Sequence, residues 1–218
     1  MTRLGRFLNV LPGEGRLAAR LLALMVCVWA GFAIGANGIE GLLFARVGPD
    51  TLPYLYVALG IAAAAVMLAL NVMLTRRRPE RLLLVALLAA AVVVMALRGL
   101  LMLGQDWVYL VAWLVMMVLW TGGTVVIRGI VGAVHDTRQA KRLFPLYASG
   151  VILGTALGGM VTAPLARWTG AENLLLIWAA ALAAGFLIGR QALAAAGVSP
   201  RRLRRPAITV RARGAEGL

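Results

Sequence analysis

The sequence has one cysteine, one histidine and only eight acidic residues in 218. With Cys27 alone no internal disulfide can form, so cysteine usage says nothing about redox compartment. His135 has no second histidine or cysteine near it, which excludes an ordinary zinc-type site, and no cofactor is expected. There is no Walker-type phosphate loop, no paired acidic motif for lipid head-group transfer, and no histidine pair within the apolar runs to hold a haem. Ala148-Ser149-Gly150 has the form of a nucleophile turn, but the histidine that an intramembrane serine protease needs on another span is missing. These gaps argue against an enzyme. A cleavable leader is lacking as well: the first apolar run is too long and has no small-residue cleavage site, so it is expected to remain as a span.

What is abundant is hydrocarbon. Hydrophobic residues make up 62% of the chain and charged residues 14%, with a mean hydropathy of +0.89, far above the ~45–50% apolar share of soluble domains. A chain of this size cannot hide so much apolar surface from water, whereas about 20 mostly apolar residues cross a bilayer as one helix. Six runs are long enough: roughly 21–43, 54–74, 82–103, 107–131, 144–166 and 174–193. The fold class expected is therefore an all-α membrane protein of six transmembrane helices. A lead-in over 1–20, a membrane domain over 21–193 and a basic tail over 194–218 complete the plan.

The net charge of +14 raises the question of nucleic acid, but the cations punctuate apolar runs instead of covering a folded surface with interleaved aromatics. Nucleic acid is not an expected partner; the lipid bilayer is. With the amino end inside, Arg46 and Arg167 fall on the outer side, Arg98 and Arg128 fall within spans, and every other cation falls on the cytoplasmic side. That positive-inside bias predicts a multi-pass protein of the inner membrane with both termini in the cytoplasm.

Ionisable and polar groups inside spans are costly and need an explanation. Glu40, with Asn37 on its face at i−3, sits near the outer end of the first span, either as a polar patch for a solute or coupling proton or as an interfacial carboxylate in contact with water. Arg98 is close enough to the outer surface to snorkel, anchoring its helix or pairing with Glu40. Thr124 and Arg128 share a face of the fourth span at i+4, where Arg128 either lines a cavity for an anionic solute or snorkels to the inner surface. In the loop HDTRQAKR, Asp136 stands among Arg138, Lys141 and Arg142, and serves either as a latch between helix ends or as part of a hydrated topology signal. Downstream, Gly150, Gly154 and Gly158 recur every four residues, a stripe on which a neighbouring helix can approach to backbone distance.

The segment DTRQAKRLFPLYASGVILGTALGG, preceded by ARVGPDTLPYLY between the first two spans, resembles the membrane domain of the nucleotide-exchange (ATP/ADP translocase-like) transporters and their bacterial relatives within the major facilitator superfamily. The resemblance covers roughly 21–193, the amino-terminal half of such a transporter. It implies two inverted three-helix repeats, a central cavity lined by the first and fourth helices, and alternating access. It also implies a partner, since that family has twelve spans: a second six-helix half or, failing that, a homodimer. The family's signature between the second and third spans differs here, where MLTRRRPER carries the cations without the usual aspartate.

The expected function is an integral membrane transporter, or its amino-terminal half, moving a small solute of unknown identity, an anionic one if Arg128 faces the cavity. Asn37, Glu40, Thr124 and Arg128 are the candidate substrate contacts. Asp136, Arg138, Lys141, Arg142, Gly150, Gly154 and Gly158 are the candidates for packing and conformational change. The competing class is a non-transporting scaffold or sensor whose basic tail recruits a partner.

Overall fold

The computed structural model describes residues 15–76, 79–134 and 137–195. Six long helices account for nearly all of them: α1 (Gly15–Arg46), α2 (Leu52–Arg76), α3 (Pro79–Leu101), α4 (Asp106–Val134), α5 (Thr137–Thr169) and α6 (Leu174–Ala195). Each contains a segment long and apolar enough to cross a membrane. The chain is an all-α membrane protein with six transmembrane helices.

The helices outrun the apolar segments that announce them. α1 starts at Gly15, within the expected lead-in, because Arg16, Leu17, Ala18, Ala19 and Arg20 are good helix formers whose charges exclude them from hydrocarbon but not from a helix. α3 starts at Pro79, where a proline's missing amide and fixed φ fit the first helical position. The basic segment before Phe144, expected as a loop, is corrected: from Thr137 onward, Arg138, Gln139, Ala140, Lys141 and Arg142 form the opening turns of α5. Asp136 lies outside the described residues. Short 3-10 turns, Pro49–Thr51 and Ala171–Asn173, make two of the connections, and each follows a glycine with φ near +87°, Gly48 and Gly170, a conformation that other residues rarely adopt.

The helices form a ring of four with one outlier on each side. α1 packs on α6, α6 on α3, α3 on α4 and α4 on α1; α5 lies along α1, and α2 lies along α4. α1 is the most enclosed. Its residues 31–35 are buried without a break, so no face of the helix at that level meets the surroundings. α2 is the opposite case: among its described side chains only Leu55 is buried, while Tyr54, Val57, Ile61 and Leu68 are exposed as lipid-facing residues would be.

Two glycine seams hold α1. On one side the α5 stripe lies on the α1 backbone: a Cβ placed on Gly154 would stand 2.5 Å from the Val26 carbonyl oxygen, and one on Gly158 would collide with the carbonyl of Ala30. On the other side α1 supplies the glycines. The Trp178 indole of α6 lies in a notch over Gly31 and Gly35, and Gly185 of α6 receives the Val28 side chain. Lipid offers no hydrophobic gain for bringing helices together, so close backbone approach and the dispersion contacts that come with it must supply the association.

Gly154→Ala should therefore cost about 1–3 kcal/mol, because the atom it meets is backbone that cannot swing aside. At roughly 2–4 °C per kcal/mol for a chain of this length, the loss is readable as a thermal midpoint in detergent. Gly159→Ala, whose Cβ would meet nothing within 4 Å, should stay within about 0.5 kcal/mol of the parent. Equal midpoints for the two variants would contradict the seam.

Candidate functional site

The polar side chains within the spans sit at separate levels. Toward the carboxyl end of α1 along the α1–α5 seam, Asn37 Nδ2 donates to Thr162 Oγ1 at 3.4 Å, and the Thr162 hydroxyl donates to the Gly158 carbonyl at 2.7 Å. Thr162 is buried; Asn37 is exposed. Glu40, one turn farther along α1, is half-buried and has no hydrogen bond or ion pair among the described residues. The patch thus consists of an anchored amide with free hydrogen-bonding capacity beside an uncommitted carboxyl group.

Thr121 and Thr124 of α4 lie at another level, and both hydroxyls turn back to their own helix, to the carbonyls of Met117 and Thr121. Their level is fixed by Gly123, which faces the Phe32 ring. Glu40 lies eight residues beyond Phe32, roughly 12 Å along the helix rise. At the level of the threonines stands an aromatic layer. Trp29 and Phe32 of α1 meet Trp120 of α4 at ring-centroid distances of 4.8 and 6.0 Å, and Phe32 meets Trp178 of α6 at 5.1 Å. The indole N–H groups of Trp29 and Trp178 are buried with no acceptor among the described residues. Asn37 is thus joined to Thr162, with Glu40 one turn along the same helix, and Thr124 is not part of that patch. Arg128 and Arg138 belong to the helical backbones of α4 and α5, and their side chains lie outside the described residues. Lys141 is exposed and Arg142 half-buried at the start of α5.

Arg98 anchors its helix and takes a partner other than Glu40. From the end of α3 its guanidinium donates through Nε and Nη2 to Asn173 Oδ1, at 3.2 and 2.9 Å, and Nη2 lies 3.7 Å from the Glu172 carboxylate. Asn173 in turn donates to the Thr169 carbonyl. The cluster ties α3 to the α5–α6 connection at the same end of the bundle as Glu40.

Thr162 had a signal in the sequence, since it continues the stripe of Gly150, Gly154 and Gly158 by one more step of four. Asn173 had none, because its partner is 75 residues away. The described residues contain no group of three or more histidine, cysteine, aspartate or glutamate side chains able to hold a metal.

One cavity of about 280 Å³ is formed by α2, α3 and α4, with Val28 and Phe32 of α1 and Leu182 of α6 at its back. Every residue lining it is apolar or glycine. Neither Asn37 nor Glu40 contributes to it.

Comparison with protein families, with curated proteins and with solved structures finds no match to this chain.

The Arg98 cluster generates a ranking. Arg98→Met removes two charge-assisted hydrogen bonds and should lower stability in detergent by about 1–2 kcal/mol. Glu172→Gln keeps Asn173 in place and loses only a partly exposed ion pair, worth less than about 1 kcal/mol. A Glu172→Gln variant that melts below Arg98→Met would reverse the assignment.

Proposed function

We propose that this chain is one six-helix half of a membrane transporter that works by alternating access, completed by a second six-helix unit or a second copy of itself. The observation that carries this reading is the pattern of helix packing. Exchanging α1 with α4, α2 with α5 and α3 with α6 turns every principal pairing into another one present in the fold: α1·α5 into α4·α2, α1·α6 into α4·α3, with α1·α4 and α3·α6 unchanged. Helices that alternate in direction place α1 and α4 antiparallel, so the exchange relates two inverted three-helix repeats, the construction typical of alternating-access carriers. It makes α4 the counterpart of α1.

The polar residues support the same reading. Asn37 is exposed on the most enclosed of the six helices, and hydrocarbon is a poor surrounding for an exposed amide beside a carboxyl group. A water-filled path shared with a partner unit would satisfy both. The solute is small and polar; Arg128 on α4 would favour an anion. The cation distribution supports a placement of both ends of the chain in the cytoplasm of a cell with an inner membrane.

A second reading, a non-transporting scaffold or sensor, draws on a different observation. The cavity within this chain is wholly apolar, and the interior at the level of Trp29 and Phe32 is filled by aromatic rings. Transport assays on proteoliposomes separate the two. A screen of small polar and anionic solutes should find uptake, and Asn37→Leu or Glu40→Gln should reduce it by roughly 10-fold or more, the cost of a lost hydrogen bond to a bound solute. Uptake by both variants at the parent rate would contradict the assigned contacts, and unchanged uptake by Arg128→Gln would remove that residue's role. No uptake of any solute, alone or with a partner unit supplied, would favour the scaffold.

The orientation has its own check. Green fluorescent protein fused after Leu218 should fluoresce, and alkaline phosphatase at the same point should be inactive; the reverse pattern would overturn the cytoplasmic placement.

A further inference from the structure

The apolar cavity has a shape and a location that the transport reading does not use. Its α3 wall runs from Leu82 through Val85, Ala86, Ala89 and Ala90 to Val93, 12 residues that rise roughly 16 Å from the first to the last. That is about half of the ~30 Å hydrocarbon thickness, the depth of one leaflet. The cavity is a groove more than a chamber: Val85, Ala89 and Val93 are exposed, and α2 and α3, though consecutive in the chain, hardly touch. Gly122 and Gly123 of α4 form its floor. Side chains there would meet only Leu70 and Phe32, at 3.6 Å, so their absence leaves space that the fold does not otherwise fill.

One end of this groove coincides with a concentration of positive charge. Arg81 immediately precedes Leu82 on α3, and Arg76 closes α2 six residues after Leu70, roughly 9 Å farther along the helix. The sequence has no aspartate between Asp50 and Asp106, and Glu80 is the lone acidic residue near this turn. An apolar slot one leaflet deep that ends at a cationic level is complementary to a molecule with an acyl chain and an anionic head.

We infer that the α2–α3–α4 groove is a binding site for an anionic glycerophospholipid, with one acyl chain along Val85, Ala89, Gly122 and Gly123 and its phosphate-bearing head at the level of Arg76 and Arg81. A neutral lipid would fill the slot but gain nothing from the arginines. Each arginine near a bilayer surface favours an anionic head by about five-fold. The bound chain separates α2 from α3 and closes the packing of the looser side of the bundle.

The test uses the full chain purified in a mild detergent and offered equal amounts of phosphatidylglycerol and phosphatidylcholine with identical acyl chains, with retained lipid read by native mass spectrometry. The parent should retain one phosphatidylglycerol in clear preference to phosphatidylcholine. Arg76→Gln with Arg81→Gln should lower that preference by roughly 25-fold, about five-fold for each arginine, while leaving the slot able to hold either lipid. Ala89→Trp should remove retention of both; Ala86→Leu serves the same purpose if the tryptophan variant does not fold. Equal retention of the two lipids by the parent, an undiminished preference in the double glutamine variant, undiminished retention in the slot-filling variants, or a lipid-free dimer as the main species would each overturn the site.

Discussion

Two polypeptide backbones approaching to van der Waals contact, α5 on α1, is the constraint that arranges the remainder of the fold. Gly154 and Gly158 place α5 against the carbonyls of Val26 and Ala30, with no side chain between. On its other side α1 offers Gly31 and Gly35 to the ring of Trp178. The central helix is thus the floor of one seam and the groove of the next, and a methyl group in either would push a neighbour outward. In lipid, where apolar side chains gain nothing by leaving their surroundings, such shape-driven contacts decide which helices meet.

The two sides of the bundle differ in this respect. α1, α5 and α6 are joined by glycine seams; α2, α3 and α4 meet through larger side chains, such as Tyr56 against Trp113 at 5.4 Å, and leave a groove between them. Under the proposed exchange of repeats, α2·α4 is the counterpart of α5·α1, yet only the latter has the glycine stripe. Divergence of the two pairings gives one rigid trio and one with free volume. It is the freer trio that ends in the arginine-rich turn.

Much of this was legible along the chain because membrane insertion writes itself in one dimension. Six apolar runs of sufficient length announce six helices, and the four-residue glycine period of α5 announces a close seam. Helix ends were less legible: Arg16 to Arg20 and Thr137 to Arg142 are too charged for hydrocarbon but are good helix formers, so polarity marked the membrane boundary and not the end of the helix. Partners across the fold were not legible at all. Nothing near Arg98 in the chain points to Asn173, and no local pattern tells that Trp178 fills the notch over Gly31 and Gly35. Thr124 and Glu40 looked alike as polar residues in central spans, but only the packing of Gly123 against Phe32 places Thr124 at the level of the aromatic layer, roughly 12 Å along the helix from Glu40.

The α1–α5 contact can be measured directly in the membrane by cross-linking. A Cβ at Gly150 would stand 3.2 Å from the Cβ of Met25, close to the spacing of about 3.5–4.5 Å that a disulfide requires. With Cys27 replaced by serine, Met25→Cys combined with Gly150→Cys should form an intramolecular disulfide rapidly under mild oxidation, seen as a mobility shift that reductant reverses. Met25→Cys combined with Ile152→Cys, on an exposed face of α5, should not. Absence of the first cross-link, or equal cross-linking of both pairs, would contradict the central place given to the glycine seam.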